Sequence, residues 1–98
     1  MLDTLVDNLN SQIRWVCLEF NQDEDLVLMS ADGRLFIIDI VNGDIRDKSH
    51  YTEFAMNQAN EIDDTRLEGN TLVVRTKANR FAYLHNIVVG GLAISSSV

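Results

Sequence analysis

Cysteine is nearly absent from this chain. Cys17 stands alone among 98 residues, so no internal disulfide can form. A lone thiol fits a reducing compartment. Basic residues are also scarce: fifteen Asp and Glu face eight Lys and Arg, the net charge is -7, and no Lys/Arg cluster occurs. Phosphate neutralisation is the main source of nucleic-acid affinity, so this balance argues against a nucleic-acid partner. An anionic membrane surface repels such a chain for the same reason. There is no Asn-x-Ser/Thr glycosylation acceptor. No apolar run approaches the roughly 20 residues that a membrane helix needs. The opening, MLDTLVDNLN, lacks a basic region and carries Asp3 and Asp7, so it is not expected to act as a signal peptide. A soluble cytosolic protein is expected.

What is present is ordinary globular material. The composition is 46% hydrophobic, too apolar for a disordered chain. The length allows one domain at most, and a chain of this size hides roughly 60–70% of its extended surface on folding.

The apolar residues come in short runs. Ile13 to Phe20, IRWVCLEF, is rich in aromatic and branched residues and predicts a strand. Simple alternation puts Val16, Leu18 and Phe20 on one face and Ile13, Trp15 and Cys17 on the other, as suits an inner strand. Asn21 to Asp25 forms a polar turn before a strand at Leu26 to Ser30. Asp32-Gly33 predicts a tight hairpin turn into a third strand, Arg34 to Val41. Asn42-Gly43 closes the next hairpin, and Asp44 to about Lys48 is short and charged like an outer edge. Residues 49–61 lose the alternation and read as a linker, with room for a helical turn at Phe54 to Ala59. Strands resume at Ile62 to Leu67, Thr71 to Thr76 and Arg80 to Val88, with turns at Glu68-Gly69-Asn70 and Lys77 to Asn79. The tail, residues 89–98, is expected to fray. Residues 1–12 stay open between a helical stripe (Leu2, Leu5, Val6, Leu9) and a strand at Leu2 to Val6.

Turn signals this frequent, with no helix of confident length, predict an all-β fold: a sandwich, barrel or propeller. One pattern occurs twice. Strand, polar turn, strand, tight turn, strand runs from Ile13 to Val41 and again from Ile62 to Val88, at a repeat distance of about 45–50 residues, within the range of propeller blades. The first copy resembles a WD40-like blade. Asp39 stands where that repeat carries its aspartate, Ile38 replaces the tryptophan, Asn42-Gly43 matches the glycine turn, and the Gly-His dipeptide is missing. Four-stranded antiparallel meander sheets, about two β-propeller blades, are therefore expected. Residues 13–48 form a complete blade, 49–61 a linker and 62–88 a second, incomplete blade, with Leu2 to Val6 as the outer strand of a preceding one. A closed propeller needs at least about four blades. Two blades expose apolar faces, so the chain is expected to belong to a longer propeller, to form a homo-oligomer, or to fold differently alone.

In order along the chain stand DEDLVLMSADGRLFIIDIVNGDI, then Phe54-Ala55-Met56-Asn57, then Ile62-Asp63-Asp64-Thr65-Arg66, then Asn79-Arg80-Phe81. This ordered set, about three quarters of the chain, resembles the N-terminal β-propeller of the vacuolar protein sorting subunit sixteen family. The resemblance implies a non-enzymatic subunit of a tethering complex that bridges endosomes and lysosomes or vacuoles before SNARE-driven fusion. It implies protein partners and a cytoplasmic location peripheral to those membranes. In that family a Sec1/Munc18-like partner docks mainly on a C-terminal α-solenoid, which this chain lacks, so no family binding residue carries over.

No candidate for chemistry stands out. His50 and His85 lie in different contexts, and a metal site needs three or four convergent ligands. Cys17 lacks the electropositive surround of a nucleophile and is expected in a core. Asp23, Glu24 and Asp25, like Asp63 and Asp64, lack the calcium-loop pattern and are expected in solvated turns. Asp39 is expected to cap a turn, and Trp15 and Phe36 to pack. Gly90-Gly91 lacks the context of a phosphate cradle. No catalytic, cofactor or metal residue is assigned and no enzyme is expected. The alternative is a free-standing small β-barrel or sandwich that binds a small apolar ligand.

Overall fold

The computed structural model describes residues 14–52, 61–92 and 94–97. The expectations for residues 1–12, Ile13, and Phe54 to Ala59 lie outside the described residues. The described chain is all-β: eight strands in two antiparallel four-stranded sheets, each a simple meander. The first sheet holds β1 (Trp15–Phe20), β2 (Leu26–Ser30), β3 (Leu35–Asp39) and β4 (Asp44–Asp47). A 3₁₀ turn at Ser49–Thr52 follows, in the expected linker. The second sheet holds β5 (Ile62–Glu68), β6 (Thr71–Thr76), β7 (Phe81–His85) and β8 (Ile94–Ser97). The strands form two separate sheets, not one closed cylinder.

One turn recurs three times. Asn21, Ser30 and Thr76 each accept a main-chain bond from the residue three positions on (Glu24, Gly33, Asn79). Each also exchanges main-chain and side-chain bonds with the residue four positions on (Asp25, Arg34, Arg80). The residue three positions on has positive φ: Glu24 at 64°, Gly33 at 93°, Asn79 at 61°. This is a type I turn followed by a left-handed residue, a three-residue hairpin loop. Asp32-Gly33 is therefore not a two-residue turn, because only Gly33 has positive φ. Nor is Asn42-Gly43: β3 stops at Asp39, and Gly43 donates across the loop to the Asp39 carbonyl. Ile40 and Val41, expected in that strand, stand exposed at the loop instead. The expected strand to Val88 ends at His85, where Asn86 takes φ 58°. The tail was expected to fray, yet Ile94–Ser97 pairs with β7 and completes the second sheet.

Between β2 and β3, Leu26 pairs with Ile38 and Met29 with Leu35. Between β6 and β7, Leu72 pairs with Leu84 and Arg75 with Phe81. Every partner is displaced by 46 positions (26 to 72, 38 to 84), so the second sheet repeats the first in register. Each first strand also carries a bulge at the same place, between Trp15 and Cys17 and between Ile62 and Asp64. The bulge turns Trp15 to the face shared by Leu18 and Phe20, and not to that of Cys17, as alternation alone implied. A bulge sets two residues of one strand against one of its partner and so inverts the alternation beyond it.

The core lies between the sheets. Cys17, Val27, Met29, Leu35 and Ile37 of the first sheet meet Ile62, Leu72, Val74, Leu84 and Ile87 of the second. Burying a side chain of this size contributes about 1.5–3 kcal/mol. Exposed pairs such as Arg46–Asp44 and Arg66–Glu68, both 2.9 Å, contribute at most about 1 kcal/mol each. The apolar layer thus holds the sheets together. They meet most closely along β1 and β5. There the Thr65 hydroxyl donates to the Val16 carbonyl at 2.8 Å, and the Ile62 N–H donates to the Ala31 carbonyl at 2.9 Å.

Candidate functional site

The stacking of the two sheets is head-to-tail. Leu28 and Val74 are repeat equivalents (28 to 74), yet Val74 faces the core layer and Leu28 faces away from it. Val27 faces the core, while its equivalent Val73 lies on the outer face of the second sheet, opposite Tyr83 and Arg66. Unlike faces therefore meet, and a repeat-equivalent of each packed face is left on the outside.

These two outer faces differ. On the first sheet the register brings Trp15, Leu18, Phe20, Leu26, Leu28, Phe36, Ile38 and Ile45 to one side. Leu28 and Ile38 are buried beneath Trp15, Leu26, Phe36 and Ile45, all members of the sheet itself. The Trp15 and Phe36 rings pack tilted at 56°, centroids 6.4 Å apart. Leu18 and Phe20 remain 59% exposed. Their equivalents in the second sheet, Thr65 and Leu67, lie under the first sheet and are only partly exposed. The indole Nε1 of Trp15 is buried without a hydrogen-bond partner. A buried donor left unpaired costs about 1–3 kcal/mol.

The outer face of the second sheet is mixed: Asp64, Arg66 and Arg75 stand beside Val73, Phe81 and Tyr83. Asp64, Arg66, Val73, Arg75 and Phe81 line an open groove there, with Thr65. Arg75 binds Asp63 at 2.9 Å and Arg66 binds Glu68 at 2.9 Å, so both guanidinium groups are paired within the sheet. Tyr83 stacks on His85 at 6.2 Å.

The residues weighed for chemistry are dispersed. Cys17 is 4% exposed in the layer between the sheets, its Sγ 3.8 Å from the Val27 carbonyl. Burial pushes its thiol up to about 11, against a weaker opposing hydrogen bond from Thr65. That is the reverse of an activated nucleophile. Asp39 caps its turn as expected: its carboxylate accepts the Asn42 N–H at 3.1 Å and the Asn42 side-chain amide at 2.7 Å. Those bonds, the side-chain amide first, hold its carboxyl below the ordinary value. Asp23 and Glu24 lie in the first hairpin loop, and Asp23 accepts from Asn70 at 3.2 Å. Asp25 closes that loop and accepts the Val89 N–H at 3.3 Å. Asp63 and Asp64 lie at the bulge of β5, within the strand expected at Ile62 to Leu67 and not in a solvated turn. His50 is exposed at the 3₁₀ turn; His85 approaches Thr71 and Ser96 at 3.4 and 3.3 Å. Among the described residues no group of three or more His, Cys, Asp or Glu is placed to hold a metal ion. No described helix is long and apolar enough to cross a membrane.

Sequence reasoning missed the grouping of Trp15 with Leu18 and Phe20. Val16 and Cys17, adjacent and both turned toward the core layer, mark the bulge in the structure, but Trp15 to Leu18 is apolar throughout, so the sequence carries no sign of it. No protein-family model, curated protein or solved structure matches the chain.

Proposed function

We propose that this chain is a non-enzymatic protein-interaction module made of two propeller-type blades. Head-to-tail stacking carries the reading: equivalent residues such as Leu28 and Val74 lie on opposite sides of the shared layer. Stacked units of this kind bury a continuous core only with neighbours, and the exposed Leu18 and Phe20 fit a surface awaiting one. The meeting of the sheets along β1 and β5, the first strand of each meander, fits sheets that radiate from an axis.

The sequence resemblance extends this to a role in the propeller of a tethering-complex subunit acting in endosome–lysosome or vacuole fusion. The ordered segments from Asp23 to Phe81 support that role. Proximity labelling with the chain expressed in cells tests it. Enrichment of tethering-complex subunits over a scrambled-surface control is expected. Labelling no different from that control would overturn the trafficking role.

A further inference from the structure

We propose that Asn42 is a site of spontaneous deamidation, restrained in the native loop by Asp39, and that the isoaspartate formed there loosens β4. The inference goes beyond the interaction-module reading and does not depend on it. Asn42 is the one asparagine of the chain that precedes a glycine. In deamidation the main-chain nitrogen of the next residue must reach the side-chain carbonyl carbon, and glycine has no Cβ to obstruct that approach. The surroundings are open as well: Asn42 is exposed, and even a Cβ at Gly43 would meet no atom within 4 Å. The Gly43 nitrogen gives up its proton to hydroxide and attacks Asn42 Cγ. The new N–Cγ bond closes a succinimide ring, the Cγ–Nδ2 bond breaks, and Nδ2 leaves as ammonia with a proton from water. Water then opens the ring. Attack at Cγ gives aspartate; attack at the main-chain carbonyl gives isoaspartate, with the chain rerouted through Cβ and Cγ. A water is consumed, an ammonia is released, and nothing is oxidised or reduced.

Asp39 holds both reacting groups. Its main-chain carbonyl accepts the Gly43 N–H at 2.8 Å and so engages the proton that the nucleophile must lose. Its carboxylate accepts from the leaving group, Asn42 Nδ2, at 2.7 Å, and from the Asn42 N–H at 3.1 Å. Ring closure forfeits both anchors, the first with the proton and the second with the ammonia. A carboxylate against the loop also disfavours a second anion on it. The native loop thus slows a reaction that its dipeptide invites.

The product reverses the cap. A carboxylate replaces the donor that faced Asp39 Oδ2, and it adds a negative charge to a chain already at -7. Asp44 stands directly opposite Asp39 in the register, offset by Arg46 at 2.9 Å. In the isoaspartate form the main chain between Val41 and Gly43 is also longer, which shifts the Gly43 bond across the loop. β4 is four residues long, lies at the edge of its sheet and pairs with β3 alone. Edge segments with few partners are the first to open. Its Ile45 packs against Leu28 and Ile38, so part of their cover goes with it.

The test follows the wild-type chain, folded at pH 8, by mass spectrometry of its tryptic peptide Leu35 to Arg46, with chromatography that separates aspartate from isoaspartate. The same chain unfolded in guanidinium gives the unrestrained rate. Asn42 is expected to convert about tenfold or more slowly in the folded chain than in the unfolded one, with isoaspartate among the products. Asp39→Ala is expected to recover most of that factor in the folded state; Asp39→Ser serves if the alanine variant does not fold. Gly33→Ala, which weakens the fold at the opposite end of β3, is expected to leave the rate unchanged. No conversion at Asn42 in the unfolded chain overturns the site. Equal rates in the folded and unfolded chains, a slower rate in the Asp39 variants, or an acceleration by Gly33→Ala as large as theirs overturns the restraint. The isoaspartate form, isolated by ion exchange, is expected to exchange the amide hydrogens of β4 about tenfold faster than the unmodified chain, with those of β1 unchanged. Exchange in β4 no different from the unmodified chain overturns the loosening.

Discussion

The side-chain amide of Asn21 donates to the main-chain carbonyl of Ile87 at 2.7 Å, tying the first hairpin loop of one sheet to the segment that leaves the other. The same side chain accepts the Asp25 N–H at 2.8 Å, and Asn21 is 6% exposed. Each amide atom therefore has one buried partner. Asn21→Ala should destabilise the fold by about 1–3 kcal/mol, because it leaves a carbonyl and an N–H unpaired. Asn21→Asp should be worse near neutral pH. It keeps the acceptor for Asp25 but sets a carboxylate against the Ile87 carbonyl. Urea unfolding of the three proteins checks the order; a milder effect of the aspartate would show that the bond to Ile87 contributes little.

The three copies of the hairpin loop make an internal comparison. Gly33, Asn79 and Glu24 occupy one left-handed position at φ 93°, 61° and 64°. A side chain with a Cβ costs roughly 1–2 kcal/mol there, and glycine nothing. Glu24→Gly should therefore stabilise by up to about 1 kcal/mol after the entropy of the freer unfolded glycine is counted. Gly33→Ala should destabilise by about 1 kcal/mol or more. Thermal melting measures both, and equal effects of one sign would overturn the assignment of a shared loop.

The Cys17 thiol gives the fold an alkaline limit. Its pKa rises from 9.0 to about 11 on folding, chiefly through burial. Above the unfolded value the unfolded chain gives up the proton and the native chain keeps it. Stability should thus fall as pH rises from 9.0 and level off only near 11. Cys17→Val should flatten this limb relative to the wild type in denaturant titrations. Alkylation of the native protein at pH 8 should proceed only through unfolding.

Asp39 acts at the other end of the pH scale. Its folded carboxyl is held below the ordinary value by Asn42. Its contribution is then present above the unfolded value and is lost as pH falls through the folded one, in the window below about pH 4. Asp39→Ala should lower the melting temperature at pH 7 and reduce the loss between neutral and acid pH. An unchanged acid limb would show that the turn at Asn42 stands without the carboxylate.

Much of the fold was legible because pairing leaves its mark on alternation. Val27, Met29, Leu35 and Ile37 alternate with Leu28, Phe36 and Ile38, and both sets are apolar because the first sheet has something to cover on each side. The doubling of the pattern was legible for the same reason. Three features were not. The bulge at Trp15 depends on a main-chain detour that no residue type marks. The loops at Gly33 and Gly43 use one left-handed residue where the dipeptides suggested two. β8, Ile94–Ser97, is a serine run whose strand character comes from the free edge of β7 and not from its own side chains. The open face was half visible: Leu18 and Phe20 share a side in any strand, but which side another sheet covers is decided by tertiary stacking.

Head-to-tail stacking also bears on how such a chain can change length. Each unit presents one kind of surface forward and the other kind backward, so duplication of a whole 46-residue unit inserts a new layer without altering any existing contact. A one-residue insertion within β2 or β3 would instead flip every side chain beyond it to the wrong side. The connections already differ between the copies: β1 is displaced by 47 positions (Trp15 to Ile62), β2 and β3 by 46, and Arg46 by 50 to Ser96. Lineages of this architecture are thus free to vary by whole units and by loop length, and are held fixed within the paired strands.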